Sequence, residues 1–396
     1  MTASPALTRT QVWTIFVAAW ATTAIAAGFA FLGPVLTLLL ERMTGSGSFI
    51  GAFATVGAVT TVALTPLAPK LMSRVGAPTL VTFGILGACA CFPLYYLIED
   101  PVWWFAIRFT QGLFTTIVFV VSETWINTIA PEDKRGRILS VYAIFLAGGF
   151  GVGAAASAIL IQTVGLDGWV PFAVGAAVVG LGLLPLLVRA HLPMNAPRGH
   201  DSGVDTLFRI MGGAPGLMAA VFAFGAIEYS LFHMVPVYGV RLGMSEGAAA
   251  LLLMSMPLGS ILFIYPIGMA ADRFPRKRVL MVLFGFCAVL GIGISVLSDY
   301  WALMAAFAIW VGAAGGLYTV GLSMLSERHR GARMAAANAA FIMVYGMGSL
   351  ASPYAIGAGL DAVGPGAMPQ ILSGVCALAM GVFALTDGRR EGGWRR

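Results

Sequence analysis

The sequence predicts an all-α integral membrane protein with twelve transmembrane helices in two similar six-helix bundles. Hydrophobic residues make up 59% of the 396 residues and charged residues only 10%, whereas soluble domains carry roughly 25% charged residues. Long apolar runs alternate with short polar turns, and one polar turn occurs twice, about half a chain apart. Glycine is abundant, with 50 residues, and small residues let helices approach closely inside a membrane.

Each helix is predicted from a run of about 20 mostly apolar residues, the length that crosses a bilayer. The first run is longer than the roughly 7–15 residues of a signal-peptide core, so we expect an uncleaved helix. Breaks at polar or Gly/Pro-bearing turns then give the remaining helices in order. The twelve predicted helices cover residues 13–40, 49–69, 79–98, 102–129, 138–162, 169–189, 214–240, 248–270, 279–297, 301–325, 334–357 and 369–386.

The distribution of basic residues predicts that both chain ends lie in the cytoplasm. All but three of the 23 Lys and Arg residues fall in segments on one predicted side, and an excess of Lys and Arg marks the cytoplasmic side. The exceptions are Arg42 and Arg241 in outer turns and Arg108 within helix four. The net charge of +6 is therefore attributed to membrane orientation rather than to nucleic-acid binding. Four tryptophans at predicted outer ends are expected to anchor helices in the interface: Trp103, Trp104, Trp169 and Trp301.

A repeated polar turn divides the chain into two halves. Residues 268–278 (GMAADRFPRKR) and residues 69–76 (PKLMSRVG) both separate long apolar runs, and Asp272 lies 199 positions after Ser73. Because six helices return each half to its starting side, the repeats are expected to be parallel. We predict an N-terminal bundle over residues 1–190, a cytoplasmic linker over 191–213 and a C-terminal bundle over 214–396.

The second copy of this turn resembles the signature of the major facilitator superfamily, G-x-x-x-D-[RK]-x-G-[RK]-[RK], found between helices two and three and again between helices eight and nine. Pro275 replaces the usual glycine, and in the first copy Ser73 replaces the aspartate. The resemblance covers nearly the whole chain and implies a transporter that works by alternating access, with its substrate near the midplane. The matching residues are Gly268, Asp272, Arg273, Arg276 and Lys277 in the second copy, and Arg74 and Gly76 in the first.

Three further elements resemble subgroups of this superfamily. Residues 108–112 (RFTQG) in helix four resemble the R-x-x-Q-G element of proton-coupled exporters. Residues 348–357 (GSLASPYAIG) in helix eleven resemble the antiporters' G-x-x-x-G-P-x-x-G-G, which those exporters carry in helix five. Residues 122–127 (SETWIN), followed by 135–137 (RGR), resemble the YcaD-like permeases. The resemblance to exporters implies proton-coupled efflux of a small amphipathic or metabolite-like compound.

Asp272 is predicted to act in gating. A carboxylate at the end of helix eight can accept backbone N–H bonds and face the positive N-terminal end of a neighbouring helix. The family fold implies that this neighbour is helix five, and the contact would hold the cytoplasmic side closed. The alternative is a solvated turn that only orients the chain. Because Ser73 carries no charge, the two halves are expected to differ in gating.

Two further acidic residues are expected to join a cytoplasmic charge network. Glu123 and Glu327 lie close to Arg-Gly turns, within reach of Arg137, Arg273 or Arg333. The alternative is a set of ordinary exposed pairs, each worth about 0–1 kcal/mol. The full predicted gating set is Asp272, Arg273, Arg276, Lys277, Arg74, Gly76, Glu123, Arg137 and Glu327.

Glu228, near the middle of helix seven, is the candidate proton carrier. It is the acidic residue predicted deepest in the bilayer, and a low dielectric favours the protonated form of a carboxyl group. Glu228 shares one helix face with Phe232, and Tyr229 shares another with His233. The alternatives are a hydrogen-bonded structural carboxyl at Glu228 and an interfacial histidine at His233.

Arg108 and Gln111 are the candidate binding residues in the first half. They lie one turn apart on one face of helix four, and a charge at membrane depth is costly unless it has a function. The acceptor for Arg108 would be a backbone carbonyl, a carboxylate or an anionic substrate. The alternative is an arginine that reaches outward to the interface. Further candidate cavity residues are Phe29, Phe114, Tyr318, Asn338, Phe341 and Tyr345.

These observations predict a secondary active transporter that exports a small organic molecule in exchange for protons, as a monomer in the bacterial inner membrane. The sequence contains no G-x-x-x-x-G-K-[ST] loop, so ATP drive is not expected. The four cysteines lie in apolar runs and the four histidines are scattered, so we expect no metal, cofactor or disulfide. The alternatives are uptake of a small polar metabolite, translocation of a lipid or amphiphile, a non-transporting sensor, and a membrane enzyme.

Overall fold

The computed structural model describes residues 7–64, 67–131, 134–188, 204–328 and 332–387, in which the regular structure is helical throughout. Short 3₁₀ segments extend the seventh helix (Leu181–Leu187) and join the tenth to the eleventh (Leu252–Met254). The α-helices are α1 (Arg9–Thr44), α2 (Gly47–Leu64), α3 (Ala68–Val75), α4 (Ala77–Leu97), α5 (Trp103–Ile129), α6 (Arg135–Thr163), α7 (Val170–Gly180), α8 (Val204–Gly213), α9 (Pro215–Arg241), α10 (Glu246–Leu251), α11 (Ser255–Arg273), α12 (Arg276–Ile294), α13 (Tyr300–Arg328), α14 (Ala332–Ala362) and α15 (Ala367–Thr386).

The described residues contain twelve helices that are long and apolar enough to cross a membrane. Each corresponds to one predicted helix, and most ends agree within a few residues. The predicted all-α, twelve-helix membrane fold is therefore confirmed. The helices agree because a run of about 20 apolar residues is long enough to cross a bilayer. Within the bilayer such a run satisfies its backbone hydrogen bonds by forming a helix.

The first polar turn is built differently from the prediction. Helix 49–69 was expected to be continuous, but α2 ends at Leu64 and a separate short helix, α3, begins at Ala68. Pro69 lies in the first turn of α3, where its missing N–H interrupts no helical hydrogen bond. Gly76, with φ +86°, then connects α3 to α4.

The second polar turn uses no such glycine. In this copy α11 continues to Arg273, and Phe274, which is extended, and Pro275 connect it to α12. A proline at the first helical positions or just before them is compatible with helix entry, since its φ is already fixed near the required value. The two turns therefore occupy equivalent positions in the two halves of the sequence but differ in backbone structure.

The chain forms two compact units. The first comprises Met1–Leu39 and Val56–Gly199, and the second comprises Leu40–Thr55 and His200–Arg396. In the first unit α4 packs against α5 and α7, and in the second α9 contacts α13, α14 and α15. The turn between α1 and α2 thus belongs to the second unit. The domain boundaries predicted from the repeat stay predictions, and most of the predicted linker lies outside the described residues.

Three of the four predicted interfacial tryptophans are exposed, but Trp104 is only 3% exposed. Its indole N–H donates to the carbonyl of Ile98 at 2.7 Å, and its ring meets Tyr95 edge-on at 5.3 Å. The expectation that Trp104 anchors in the interface is wrong. A buried tryptophan needs a partner for its N–H, and the residue that follows α4 supplies one.

Candidate functional site

The second unit joins Glu228 on α9 to Tyr345 on α14. The Tyr345 hydroxyl donates to Glu228 Oε2 at 2.8 Å, and Glu228 is half-buried. Phe224 lies 5.8 Å from the Tyr345 ring and 5.2 Å from the Tyr318 ring, so aromatic rings pack beside the hydrogen-bonded tyrosine. Asn338 lies two turns before Tyr345 on α14, and its buried Oδ1 has no hydrogen-bond partner among the described residues. Two separately predicted site residues therefore form one hydrogen-bonded pair.

Small residues in the 348–357 element let α9 and α14 touch. A Cβ atom at Gly348 would lie 2.2 Å from the carbonyl oxygen of Phe222, inside van der Waals contact. Ser230 donates to Ser352 Oγ at 2.7 Å across the same contact. Close backbone approach with hydroxyl hydrogen bonds is the usual way that helices associate in a membrane. This packing brings the two helix backbones close enough for the Glu228–Tyr345 hydrogen bond.

Tyr229, Phe232 and His233 form a packed group beside this pair. The Tyr229 hydroxyl donates to the carbonyl of Ala54 at 2.9 Å. His233 is buried, and its Nδ1 lies 2.9 Å from the carbonyl oxygen of Tyr229; because a carbonyl only accepts, Nδ1 carries the proton. The His233 ring is 4.3 Å from that of Tyr229 and 5.1 Å from that of Phe232. This geometry favours the structural alternative for His233.

In the first unit, Arg108 and Gln111 line a small cavity formed by α1, α4, α5 and α7. Arg108 is 4% exposed and Gln111 is 5% exposed. The Arg108 guanidinium lies over the Phe29 ring, 5.2 Å from its centre, and Tyr95 donates to Gln111 Oε1 at 3.0 Å. The space that these side chains enclose is narrow, with room for about one water molecule. The alternative that Arg108 reaches outward to the interface is therefore wrong.

The predicted gating residues lie mostly at exposed positions. Glu327 forms an ion pair with Arg276 and not, as was expected, with Arg273. The side chain of Arg333, another expected partner of Glu327, lies outside the described residues. In the second unit Asp272 is exposed and makes no hydrogen bond with a residue described there. Its gating role stays a prediction.

The remaining members of that set show no network within their own units. Arg74 and Arg137 are exposed, Lys277 is half-exposed, and Glu123 forms no ion pair with a described residue of the first unit. Gly76 acts through its backbone, at the turn between α3 and α4. The proposed cytoplasmic charge network is therefore limited to one exposed pair in the described structure.

Sequence reasoning missed a charged cluster in the second unit that we call the outer clamp, formed by Glu41, Arg42, Arg241, Glu246 and Asp361. Arg241 binds both oxygens of Glu41 at 2.8 and 3.1 Å and Asp361 Oδ1 at 3.0 Å. Arg42 forms an ion pair with Glu246, with a second contact at 2.6 Å. The sequence contained a sign of this cluster, because Arg42 and Arg241 were the two basic residues in predicted outer turns. Each is paired with acidic residues from such turns.

Asp361 also caps the N-terminus of α2. Its carboxylate accepts from the amides of Gly47 at 2.6 Å and Ser48 at 2.8 Å, and from the Ser48 hydroxyl at 2.9 Å. The first amides of a helix lack partners within the helix, and its dipole favours a negative charge there. The clamp therefore fastens the turn between α1 and α2 to α14.

A second missed carboxylate occupies the opposite end of α9. Asp387, just after α15, is 1% exposed; it accepts from the amide of Gly216 at 2.9 Å and pairs with Arg328 at 2.7 Å. A buried carboxylate that is both paired and hydrogen-bonded is stable in a folded protein. In the part of the chain that the structure describes, no group of three or more His, Cys, Asp or Glu side chains could hold a metal ion.

Comparison with known proteins identifies the architecture. A family model described as Major Facilitator Superfamily matches residues 18–258 and 241–395. YfkF of Bacillus subtilis (strain 168), an uncharacterized MFS-type transporter, is 26% identical over 341 residues, 84% of this chain and 85% of that protein. YcaD of Escherichia coli (strain K12/DH10B), also an uncharacterized MFS-type transporter, is 28% identical over 253 residues, 63% of each chain. The crystal structure of the nucleoside transporter NupG superposes with a TM-score of 0.79 at 13% identity, covering 96% of this chain and 99% of that one.

Proposed function

The chain belongs to the Major Facilitator Superfamily and is a multi-pass secondary transporter, and we propose that it exports a small organic molecule in exchange for protons. We further propose that it works as a monomer in the bacterial inner membrane, with both termini in the cytoplasm. The orientation rests on the one-sided distribution of Lys and Arg. The direction of transport rests on the resemblance of residues 108–112 to an element of proton-coupled exporters.

The Glu228–Tyr345 pair is the observation that carries the proposal of proton coupling. Glu228 receives its hydrogen bond from a neutral phenol, and no basic residue described in the second unit forms an ion pair with it. The carboxyl group can therefore gain or lose a proton without breaking an ion pair. An ionisable group within a membrane span is by default a candidate for proton transfer.

Tyr345 makes the protonation state of Glu228 sensitive to helix packing. The two residues lie on α9 and α14, so a shift of one helix along the other would change the hydrogen bond. Binding of a proton and movement of a helix are coupled when each alters the free energy of the other. We propose that Asp272 holds the cytoplasmic face closed, in keeping with the resemblance of residues 268–278 to the superfamily signature.

The decisive experiment compares the wild type with Glu228→Gln in proteoliposomes under an imposed pH gradient. A ligand is first identified by thermal-shift screening of the purified protein against a metabolite library, since binding raises apparent stability. An exchanger accumulates this ligand when the lumen is acidic, whereas a symporter accumulates it when the lumen is alkaline. The sign of the gradient therefore separates export from the alternative of proton-driven uptake, whichever way the protein inserts.

We expect Glu228→Gln to lose gradient-driven accumulation while ligand binding and ligand–ligand exchange remain measurable. Tyr345→Phe keeps the carboxyl group but removes its donor, so its pH dependence should shift without complete loss of transport. Glu99→Gln removes an exposed carboxylate in a loop and should behave as the wild type. Undiminished accumulation by Glu228→Gln under the gradient would rule out its coupling role.

A further inference from the structure

The turn between α11 and α12 is basic and exposed. It contains four cations within six positions, which are Arg273, Arg276, Lys277 and Arg278. Arg276 pairs with Glu327, and the other three cations form no ion pair with a residue that the structure describes. Asp272 precedes the turn, and the first turn of α12 contains no acidic residue. Asp272 and Glu327 therefore leave residues 273–278, which we call the basic turn, with a net positive charge.

The basic turn lies where two spans meet at a membrane surface. Residues 246–273 and 276–294 are each long and apolar enough to cross a membrane, and only Phe274 and Pro275 separate them. The turn is therefore placed at the depth of the lipid head groups. Phe274 is 62% exposed, and an aromatic ring at that depth is stabilised when the upper part of an acyl chain covers it.

One face of α12 continues from the basic turn as an apolar stripe. The exposed apolar residues of this stripe are Val282, Phe286 and Val289. They follow Arg278 at intervals of four, four and three residues, so all of them share one helix face. Gly285 lies on the same face, and a Cβ atom there would meet one atom of another described helix within 4 Å, Met380 Sγ at 3.8 Å. The glycine therefore leaves a shallow hollow in the stripe.

A phospholipid with an anionic head group matches both parts of this surface. Its phosphate carries the negative charge that exposed guanidinium groups bind, and its acyl chain can follow the apolar stripe. The hollow at Gly285 lies about 10 Å from Arg278 along the helix axis, at 1.5 Å per residue. This distance is within one leaflet, which is half of a hydrocarbon core of about 30 Å. A free anion in water would use the cations but would gain nothing from Phe274 or from the stripe.

We propose that the basic turn and the α12 stripe form a binding site for an anionic phospholipid. The phosphate binds Arg273 and Arg278, and Phe274 packs against the glycerol end of the acyl chains. The first copy of the polar turn, residues 69–76, has two cations and no aromatic residue, so the site belongs to the second unit alone. It is separate from the proton-coupling pair and does not depend on the cargo or on the direction of transport.

Brominated lipids measure this preference at the site itself. The full-length Phe274→Trp variant is reconstituted in phosphatidylcholine, where bromine on an acyl chain quenches a tryptophan that it touches. Quenching beyond that of the wild type, which has nine tryptophans of its own, reports the lipid at position 274. At low mole fractions, brominated phosphatidylglycerol should bind there at least about tenfold more tightly than brominated phosphatidylcholine, since each cation near an anionic head group contributes about fivefold.

Charge variants in the Phe274→Trp background assign the preference to particular residues. Arg273→Gln and Arg278→Gln should each lower it about fivefold, and the double variant should remove it. Asp272→Asn removes the neighbouring carboxylate and should raise the preference, a change of opposite sign that loss of folded structure would not produce. Arg9→Gln, which removes an exposed cation of the first unit, is the matched control and should leave the preference within about twofold of its original value.

Lipid retention by the chain without the added tryptophan gives a second measurement if Phe274→Trp does not fold. In native mass spectrometry from detergent, the wild type should keep one phosphatidylglycerol in preference to phosphatidylcholine. The double variant of Arg273→Gln and Arg278→Gln should show no such preference.

Three results would overturn the proposal. One is equal quenching by the two brominated lipids. Another is an unchanged preference in the double variant, or an equal fall in Arg9→Gln, which would indicate a diffuse effect of net charge. The third is displacement of phosphatidylglycerol by millimolar inorganic phosphate at constant ionic strength, which would show that the basic turn binds soluble anions instead of a lipid.

Discussion

Replacing Asp361 with alanine should release the turn between α1 and α2 from α14. The Asp361 carboxylate accepts hydrogen bonds from the amides of Gly47 and Ser48, from the Ser48 hydroxyl and from Arg241. Alanine removes all four at once, together with a longer hydrogen bond from the Ser46 hydroxyl at 3.3 Å. The two amides belong to the first turn of α2, so no carbonyl of the same helix can replace the lost acceptor.

The size of the effect follows from these contacts. Loss of an N-terminal capping residue costs about 0.5–2 kcal/mol, and a partly exposed ion pair adds about 0–1 kcal/mol. The Asp361 side chain is 30% exposed, so water replaces part of what is lost. We therefore expect a local destabilisation of about 2 kcal/mol, which corresponds to about a 30-fold larger population of the opened turn, at 1.36 kcal/mol per factor of ten.

Hydrogen–deuterium exchange of the peptide that contains Gly47 and Ser48 measures this population directly. Exchange there should become about 30-fold faster in Asp361→Ala. Glu246→Ala is the matched control, because it removes the half-buried partner of Arg42 and leaves both amide hydrogen bonds in place. Exchange rates for Gly47 and Ser48 within about twofold of the wild type in Asp361→Ala would refute the reasoning, since the cap would then contribute nothing measurable.

Three further experiments test the helix packing, a turn and an ion pair, each by unfolding of the purified protein in detergent. Gly348→Ala should destabilise the protein by about 1–3 kcal/mol, because the new Cβ would overlap the backbone of α9. The control Gly374→Ala, where open space surrounds the glycine, should leave the stability unchanged. Equal stabilities of the two variants would contradict the close contact between α9 and α14. Gly76→Ala should cost about 1–3 kcal/mol, since φ +86° is strained for any residue with a Cβ, and an unchanged melting temperature would show that the turn relaxes. A double-mutant cycle of Arg276→Gln and Glu327→Gln should give a coupling below about 1 kcal/mol that falls with added salt, whereas a salt-independent coupling above about 2 kcal/mol would show that the pair is not merely a surface contact.

The candidate site was only partly predictable. Glu228 was singled out as an acidic residue at membrane depth and Tyr345 as a candidate cavity residue, but nothing in the sequence pairs two positions on different helices. The same limit explains the outer clamp: Arg241 and Asp361 were visible as charges in outer turns, and their contact depends on how α9 and α14 are placed. Trp104 shows the limit for a single residue, because an interfacial tryptophan and a buried one look alike in a hydropathy pattern.

The sequence by itself determined that the chain lies in a lipid bilayer and that the described residues contain twelve helices long enough to cross it. Transfer of an apolar segment into a bilayer depends on its length and summed hydrophobicity, and both can be read along the chain. These sums do not change when a helix rotates about its axis. Only the tertiary structure decided which faces meet, that Arg108 is buried over Phe29 and that Arg276 rather than Arg273 pairs with Glu327. Side-chain packing and hydrogen bonds between helices fix those rotations. Lipid tails solvate every apolar face of a membrane helix about equally well, so hydrophobicity alone does not select one face for contact.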